Sequence, residues 1–411
     1  MMYDVIVIGG GASGLMAAGR AAERGKKVLL LEKNKRLGEK LRITGGGRCN
    51  VTNATFDEKE LLKVYGDAEP FLYSPFSQFG VERTFSFFEN RGLPLVTQSH
   101  SRVFPETEKA FDVYNVLERF IQKGQVKVAY NAPVTNIETE GSVITSVMAN
   151  GTIYRAKSYI LATGGVSHPE TGSTGEGFTW LKELGHTVKE PTPDIVPLMA
   201  EEEWIQSLAG KTLPNIKITF FVDKKKAFVE KGDILCTHFG LSGPTILNSA
   251  RRVKDLLHDG DVTAEIDLFP QTDMGVLDKE WVAFFESHKN KNLKNTMKKI
   301  LPPGTGESIL KEILDEEMHD IKVHSLPKET RRQMAHAVKA LPVTITSLMG
   351  FDRAVIADGG VPLSEIDTKT MQSLKKENLY ITGDLLHVNR PSGGYSLQLC
   401  WTTGFVAGTH A

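Results

Sequence analysis

Six residues near the start of the chain, Gly9-Gly10-Gly11-Ala12-Ser13-Gly14, restrict its fold more than any other feature. Before them, residues 3–8 form a nearly continuous apolar run, the pattern of a strand buried in a parallel sheet. After them, residues 15–24 are alanine-rich and helix-favouring, with Gly25 suited to the C′ position. Residues 27–31 are a second β-like run, and Glu32 stands at its end. A glycine pattern alone also suits a structural turn. Strand, Gly-x-Gly-x-x-Gly, helix, strand and acidic residue together point to a βαβ unit around a dinucleotide. Gly9 allows the tight turn, Gly11 leaves room for the pyrophosphate, and Gly14 lets helix and strand pack closely. Ala12 and Ser13 open the helix, whose free N–H groups and partial positive charge suit the phosphates. Glu32, with Lys33 beside it, can accept hydrogen bonds from the adenosine ribose, and its charge disfavours a 2′-phosphate.

The motif does not separate NAD from FAD. FAD carries a ribityl chain and a tricyclic ring, so other segments must return to hold its far end, and three are candidates. The first holds Lys40, Thr44, Gly45, Gly46, Gly47, Arg48, Cys49 and Asn50. Three successive glycines fit neither a helix nor a strand interior. They let a backbone lie flat against a planar ring, and Arg48 can offset negative charge developing on a reduced flavin. A flexible surface loop is the alternative. Cys49 has no resolving partner and reads as a packing residue.

The second candidate follows a helix marked by Ala110, Val113, Tyr114, Leu117, Phe120 and Ile121. Short strands are expected at 126–130, 134–138, 143–148 and 152–156, and another at 158–162, broken by Thr163-Gly164-Gly165. Such a β-meander is the usual crossover of large FAD domains, and by that analogy Val134 lies near the adenine. The third candidate is C-terminal. A strand at 379–382 ends in Gly383-Asp384, and Ser392-Gly393-Gly394-Tyr395-Ser396-Leu397-Gln398 follows. Asp384 can accept a hydrogen bond from a ribityl hydroxyl. A helix expected from about Leu397 to Gly408 would aim N–H groups at the polar edge of the flavin; a C-cap and turn is the alternative.

Over nearly the whole chain these blocks resemble the bacterial YhiN/BaiN-like (aminoacetone-oxidase-like) family of FAD flavoproteins. The resemblance rests on Lys40 and Thr44 to Asn53, on Arg102-Val103-Phe104-Pro105 and on Gly172-Ser173-Thr174-Gly175-Glu176-Gly177. It continues in Thr237-His238-Phe239-Gly240-Leu241-Ser242-Gly243-Pro244 and in the stretch from Gly383 to Gln398. It implies an FAD domain related in fold to the flavoprotein subunits of fumarate reductases, split by an inserted β-barrel-like domain and a small helical one.

The sequence supports that split. A chain of 411 residues exceeds what one core usually supports. After Pro191-Thr192-Pro193 the character changes: residues 217–222, 226–230 and 262–268 look like strands of a smaller unit. Residues 277–339 read as helices punctuated by Pro302-Pro303-Gly304 and Pro327. Residues 354–357 resume a β pattern, with Asp358-Gly359-Gly360-Val361 as its turn. The expected class is therefore α/β, a Rossmann-like FAD-binding domain of the two-dinucleotide-binding-domain type. Its first part is placed at 1–190 and its last at 343–411, re-entering near Val343. The insert is placed at 191–342, with a helical portion at about 275–340.

A net charge of −1 argues neither for nor against an anionic partner. Lys289, Lys291, Lys294, Lys298 and Lys299 can touch nucleic acid but read better as a solvated face, so no nucleic-acid partner is expected. Cys49, Cys236 and Cys400 are isolated, without a C-x-x-C dithiol or a thiolate metal site, and no metal is expected. No basic leader or membrane-length apolar run appears, so a cytoplasmic protein is expected. The sequence leaves the oligomeric state open.

No second Gly-x-Gly-x-x-Gly follows a strand, and Gly304-Thr305-Gly306 lies between helices. NAD(P)H is therefore expected to dock transiently as electron donor rather than in a domain of its own. The substrate is expected between the flavin and the inserted domain. There Arg102 can grip a carboxylate, and His168 or His238 can carry a proton near neutral pH. His387, Asn389 and Arg390 are further lining candidates. Ion pairs, loop caps and core packing explain each of these equally well, so no catalytic acid or base is assigned. The expected function is an FAD-dependent oxidoreductase of a small organic substrate, reductase or oxidase unresolved. An RNA-modifying flavoprotein would need a broad basic surface and salt-dependent RNA binding. An NAD-only dehydrogenase would leave the C-terminal Gly-Asp block unexplained, and a non-catalytic FAD-binding protein would show no turnover.

Overall fold

In the computed structural model, which describes residues 2–411, the first apolar run becomes β1 (Met2–Ile8), with Val5, Ile6 and Val7 wholly buried. It lies in a seven-stranded sheet with β2 (Val28–Leu31), β3 (Lys127–Ala129), β4 (Val134–Glu140), β5 (Val143–Ala149), β6 (Thr152–Leu161) and β7 (Leu379–Ile381). The order is β3-β2-β1-β6-β5-β4, and β7 also pairs with β6. Strands β3, β2, β1, β6 and β7 pair in parallel; β4, β5 and the start of β6 form an antiparallel meander. The expected strands at 152–156 and 158–162 are thus one continuous strand that serves both ladders.

Three helices pack on this frame: α1 (Ala12–Glu23), α2 (Ala110–Lys123) and α3 (Tyr395–His410). The small residues of α1 allow an unusually close crossing with α3. A Cβ on Gly404 or Gly408 of α3 would lie 2.4 or 2.3 Å from the carbonyl oxygens of Ser13 and Ala17. The α1 N-terminus follows the carboxyl end of β1, and Gly383, just beyond β7, packs against Ser13 in the first turn of α1; open parallel sheets bind ligands at this edge.

The described residues form two compact units, one running up to Pro193 and continuing in Ala354–Ala411, the other Asp194–Arg353. The second contains a closed six-stranded barrel. Its strands run in the order Leu198–Ala200, Gly240–Ser242, Lys225–Thr237, Thr212–Val222, Val262–Asp267, Leu341–Leu348. Ile218, Phe220, Ile234 and Ile266 are wholly buried in the core of this unit. Helices Met274–Ser287, Leu293–Ile300, Gly306–Ile313 and Lys328–Ala337 come between its last two strands.

Several expected boundaries move. Val343 does not mark the return to the first unit: it is buried in a barrel strand opposite Ala264, and the return comes at Ala354. Leu341, Val343 and Ile345 alternate inward as any half-buried strand would, so periodicity cannot say which sheet they join. The first boundary falls after Pro193 rather than at 190. Asp358, Gly359 and Gly360, read as a turn, belong to the strand Ile356–Gly360, paired in a two-stranded sheet with Lys189–Asp194. The C-terminal helix starts at Tyr395, two residues before the expected Leu397. Among the described residues no helix is long and apolar enough to cross a membrane.

Candidate functional site

The glycine cluster leaves β1 and enters α1 with a separate steric reason at each position. Gly9 has φ +102°, and a Cβ there would lie 2.6 Å from the Ala162 carbonyl oxygen. A Cβ on Gly14 would lie 1.9 Å from the carbonyl oxygen of Gly9, so helix and strand touch backbone to backbone. Around Gly11 the opposite holds: no atom lies within 4 Å of its Cβ position. Gly11 is the N-cap of α1, which has no side-chain cap and no acidic residue in its first turn. Helix N–H groups, including those of Ala12 and Ser13, thus open onto empty space that one Cβ would invade, a cradle suited to an anion.

Glu32 is buried at the end of β2. Its Oε2 accepts from Gly10 N at 2.7 Å and its Oε1 from Asn34 N at 2.8 Å. Burial raises the pKa of this carboxyl, against the lowering effect of the two N–H donors. In this structure Glu32 ties the glycine turn to β2, a structural task that the ribose assignment did not include. Lys33 donates to Thr174 and pairs with Glu176 at 2.8 Å.

Two further loops meet the cradle. After β6, Thr163 Oγ1 is buried without a hydrogen-bond partner, close against Gly177, where a Cβ would lie 2.2 Å from it. Gly164 stands beside Ser173 and Lys40. After β7, Gly383 (φ +63°) donates to Thr403 Oγ1 at 3.0 Å and packs against Ser13. The Asp384 carboxylate contacts Arg390 Nη2 and lies 3.7 Å from Lys40 Nζ. Burial opposes its charge, but Arg390 and Lys40 outweigh burial and hold it below the ordinary carboxylate range. Lys40 Nζ also reaches Ser167 O and Oγ, both at 3.3 Å.

The glycine-rich block forms a tight turn in which Gly45, Gly46 and Gly47 have φ of +58°, +67° and +85°. No atom approaches the Cβ positions of Gly46 and Gly47, so this backbone faces open space. The Thr44 hydroxyl closes the preceding turn on Leu41 O. Cys49 is wholly buried, and burial pushes its thiol up to about 12, so it packs and carries no thiolate. Asn50 Oδ1 accepts from Val103 N at 3.2 Å. Arg48 lies 4.3 Å from the centroid of Phe104 and pairs with Glu108 at 3.0 Å. Val134 opens β4, half-buried.

At the C-terminal return, Gly394 (φ +100°) caps α3, and a Cβ there would lie 2.3 Å from Thr52 O. The Tyr395 carbonyl accepts from Tyr65 at 3.0 Å, Ser396 Oγ accepts from Arg390 Nε at 3.0 Å, and Leu397 is half-buried. Asn53, present in the resemblance but not singled out as a site residue, donates to both His100 O and Gly393 O. Gln398 is wholly buried, and its Oε1 accepts from Thr52 and Thr84 at 2.6 and 2.9 Å. A lone glutamine in an apolar helix was the signal for this buried network.

Of the three proton or anion candidates, Arg102 and His168 belong to the first unit and His238 to the second. Arg102 is turned back on its own loop, donating to Ser99 O and Oγ at 3.2 Å each. His238 is exposed on the barrel unit, edge-on to Phe239. His168 lies on the loop after β6, five residues beyond Thr163, with Nδ1 2.8 Å from Glu170 Oε1.

An open cradle at one helix N-terminus, a glycine-rich backbone facing open space and a second uncapped helix N-terminus suit a long, doubly anionic dinucleotide better than a mononucleotide. The fold and this site define an FAD-dependent oxidoreductase of the Rossmann type. The chain belongs to the family described as HI0933-like protein Rossmann domain, which it matches over residues 3–410. It is 29% identical to 3-dehydro-bile acid delta(4,6)-reductase of Clostridium scindens, covering 100% of this chain and 99% of that protein. It is 25% identical to the ribosomal RNA dihydrouridine synthase of Escherichia coli, covering 98% and 96%. The fold resembles that of a 3-ketosteroid-delta4-(5alpha)-dehydrogenase from Rhodococcus jostii RHA1. The TM-score is 0.57 at 16% identity, covering 100% of this chain and 96% of the other.

Proposed function

We propose that this protein reduces a carbon–carbon double bond conjugated to a carbonyl group in a small organic molecule, with FAD as cofactor and NAD(P)H as transient donor. The observation that carries the flavin reading is the open cradle at Gly11, bounded by the return loops after β6 and β7. The substrate class rests on full-length relatives. A 3-dehydro delta(4,6) bile acid and a uridine that becomes dihydrouridine share one reactive unit, an alkene polarised by a carbonyl.

Bound FAD would supply the hydride. The glycine turn and the α1 N-terminus hold the pyrophosphate, and Asp384 takes a ribityl hydroxyl. The Gly45–Gly47 backbone and the α3 N-terminus face the ring. Glu32, whose oxygens keep unused lone pairs, receives the ribose. Lys33, Lys40, Thr163 and Gly164 close the site around the cofactor. Hydride addition at the β-carbon requires a proton at the α-carbon. His168 is the best-placed donor, because Glu170 orients its Nδ1 and leaves Nε2 for substrate.

The test is anaerobic mixing of the FAD-loaded protein with NADH and NADPH, followed by a panel of cyclic enones read by mass spectrometry. Bleaching of the flavin band and gain of two hydrogens by an enone support the reading. No bleaching by either donor, with no enone reduced by dithionite-reduced enzyme, overturns it. The relative acting on ribosomal RNA favours a second reading, reduction of uridine in RNA. Against it, Lys289, Lys294 and Lys298 are paired with Glu286, Asp320 and Glu307, which neutralises much of the lysine-rich stretch. Dihydrouridine formation with salt-dependent RNA binding would decide for RNA.

A further inference from the structure

Arg390 is only 3% exposed, a rare state for an arginine. Its hydrogen bonds stay within the C-terminal return: Nη2 to Asp384 Oδ1, Nε to Ser396 Oγ at 3.0 Å and Nη1 to Val388 O at 2.6 Å. Ser396 lies in the first turn of α3. One side chain therefore joins the carboxylate beyond β7 to the helix end that faces the proposed ring site. On the other side, Lys40 approaches Asp384 Oδ2 and holds Ser167 on the loop after β6.

Two cations face the Asp384 carboxylate: Arg390 is buried, while Lys40 and Asp384 are part-exposed at 24% and 19%. Burial pushes the Cys400 thiol up to about 12 and raises the pKa of Tyr65 further still, so both stay neutral. Burial opposes the charge of Glu170, but His168 and Lys40 help hold its carboxyl below the ordinary range, so Glu170 offsets part of the Lys40 charge from the exposed side. The buried Arg390 guanidinium keeps its charge through the Asp384 carboxylate, and positive charge held there favours a developing negative charge.

We propose that Arg390 is a positioning residue of the cofactor site: it fixes the Asp384 carboxylate and the start of α3, and with Lys40 it holds positive charge that favours the reduced, more negative cofactor. This rests on the flavin reading above and goes beyond it in assigning a residue that sets affinity and potential.

The experiment compares wild type with Arg390→Met, Arg390→Lys, Asp384→Asn and the Arg390→Met/Asp384→Asn pair. Fluorescence titration of apo-protein gives FAD affinity, dye-coupled anaerobic reduction gives the midpoint potential, and circular dichroism checks the fold. Arg390→Met is expected to weaken FAD about tenfold and to lower the potential by about 30 mV, the equivalent of tenfold for a two-electron couple. Arg390→Lys keeps the charge but loses the fork, so the potential returns towards wild type while affinity stays reduced. Because Arg390 acts through Asp384, Arg390→Met should cost less than about threefold in affinity when Asp384→Asn is already present.

A folded Arg390→Met protein with unchanged affinity and potential, or costs that simply multiply in the pair, would overturn the proposal. Should Arg390→Met fail to fold, Arg390→Lys decides: unchanged FAD affinity overturns it. A wild-type protein that takes up no FAD removes the flavin reading and this inference together. Wild-type binding with indifferent variants removes the inference alone.

Discussion

Glu32, buried, and Asp384, part-buried, follow the carboxyl ends of two parallel strands of one sheet, β2 and β7, yet the protein treats them in opposite ways. Burial lifts the pKa of Glu32, which accepts hydrogen bonds from two neutral backbone N–H groups. Asp384 is pulled below the ordinary range because Arg390 and Lys40 outweigh its burial. The N-terminal half of the site works through backbone shape and helix dipole, the C-terminal half through side-chain charge. Such a division suits a ligand with a constant charge at one end and a charge that changes on reduction at the other.

The backbone half should break hardest. Gly14→Val drives a side chain into the Gly9 carbonyl, and we expect a loss of about 3 kcal/mol or more of stability, read as a large fall in Tm. Gly11→Val has open space to occupy, so the apo-protein should melt as wild type does while FAD affinity falls about a hundredfold or more by calorimetry.

The charge half should break more gently and with pH. Stability from the lowered Asp384 pKa is fully present above the usual carboxylate value of 3.8 and is lost as pH falls through its folded value. The raised pKa of Glu32 has the opposite sign. Its contribution is greatest below 4.5 and is lost as pH rises through the folded value. Tm–pH profiles of Asp384→Asn and Glu32→Gln should therefore depart from wild type in opposite directions; parallel departures would erase the contrast. Smallest of all is Lys33→Met. It breaks a part-exposed pair with Glu176, so apo stability should change by no more than about 0.5 kcal/mol in denaturant melts.

The two halves also differed in how far the sequence exposed them. Gly9, Gly11 and Gly14 act through local backbone geometry, and their spacing around one strand and one helix reveals it. The meander before β6 and the glycine block at 45–47 were legible for the same reason. Arg390 was visible only as one polar residue among several, because its role depends on meeting Asp384 and Ser396 in space. The task Glu32 performs for Gly10 was hidden likewise, since a hydrogen bond across 22 residues leaves no periodic trace. Val343 misled because an inward-alternating strand looks the same in a barrel as in a Rossmann sheet. Only pairing with Ala264 settles it.

The account stands or falls on whether reduced flavin in this protein passes hydride to a conjugated alkene. In anaerobic stopped flow, FAD-loaded protein reduced by NADH or NADPH and then mixed with a cyclic enone should regain its flavin absorbance as the enone gains two hydrogens. Reoxidation by oxygen alone, with every enone and uridine-containing RNA left unchanged, would contradict it.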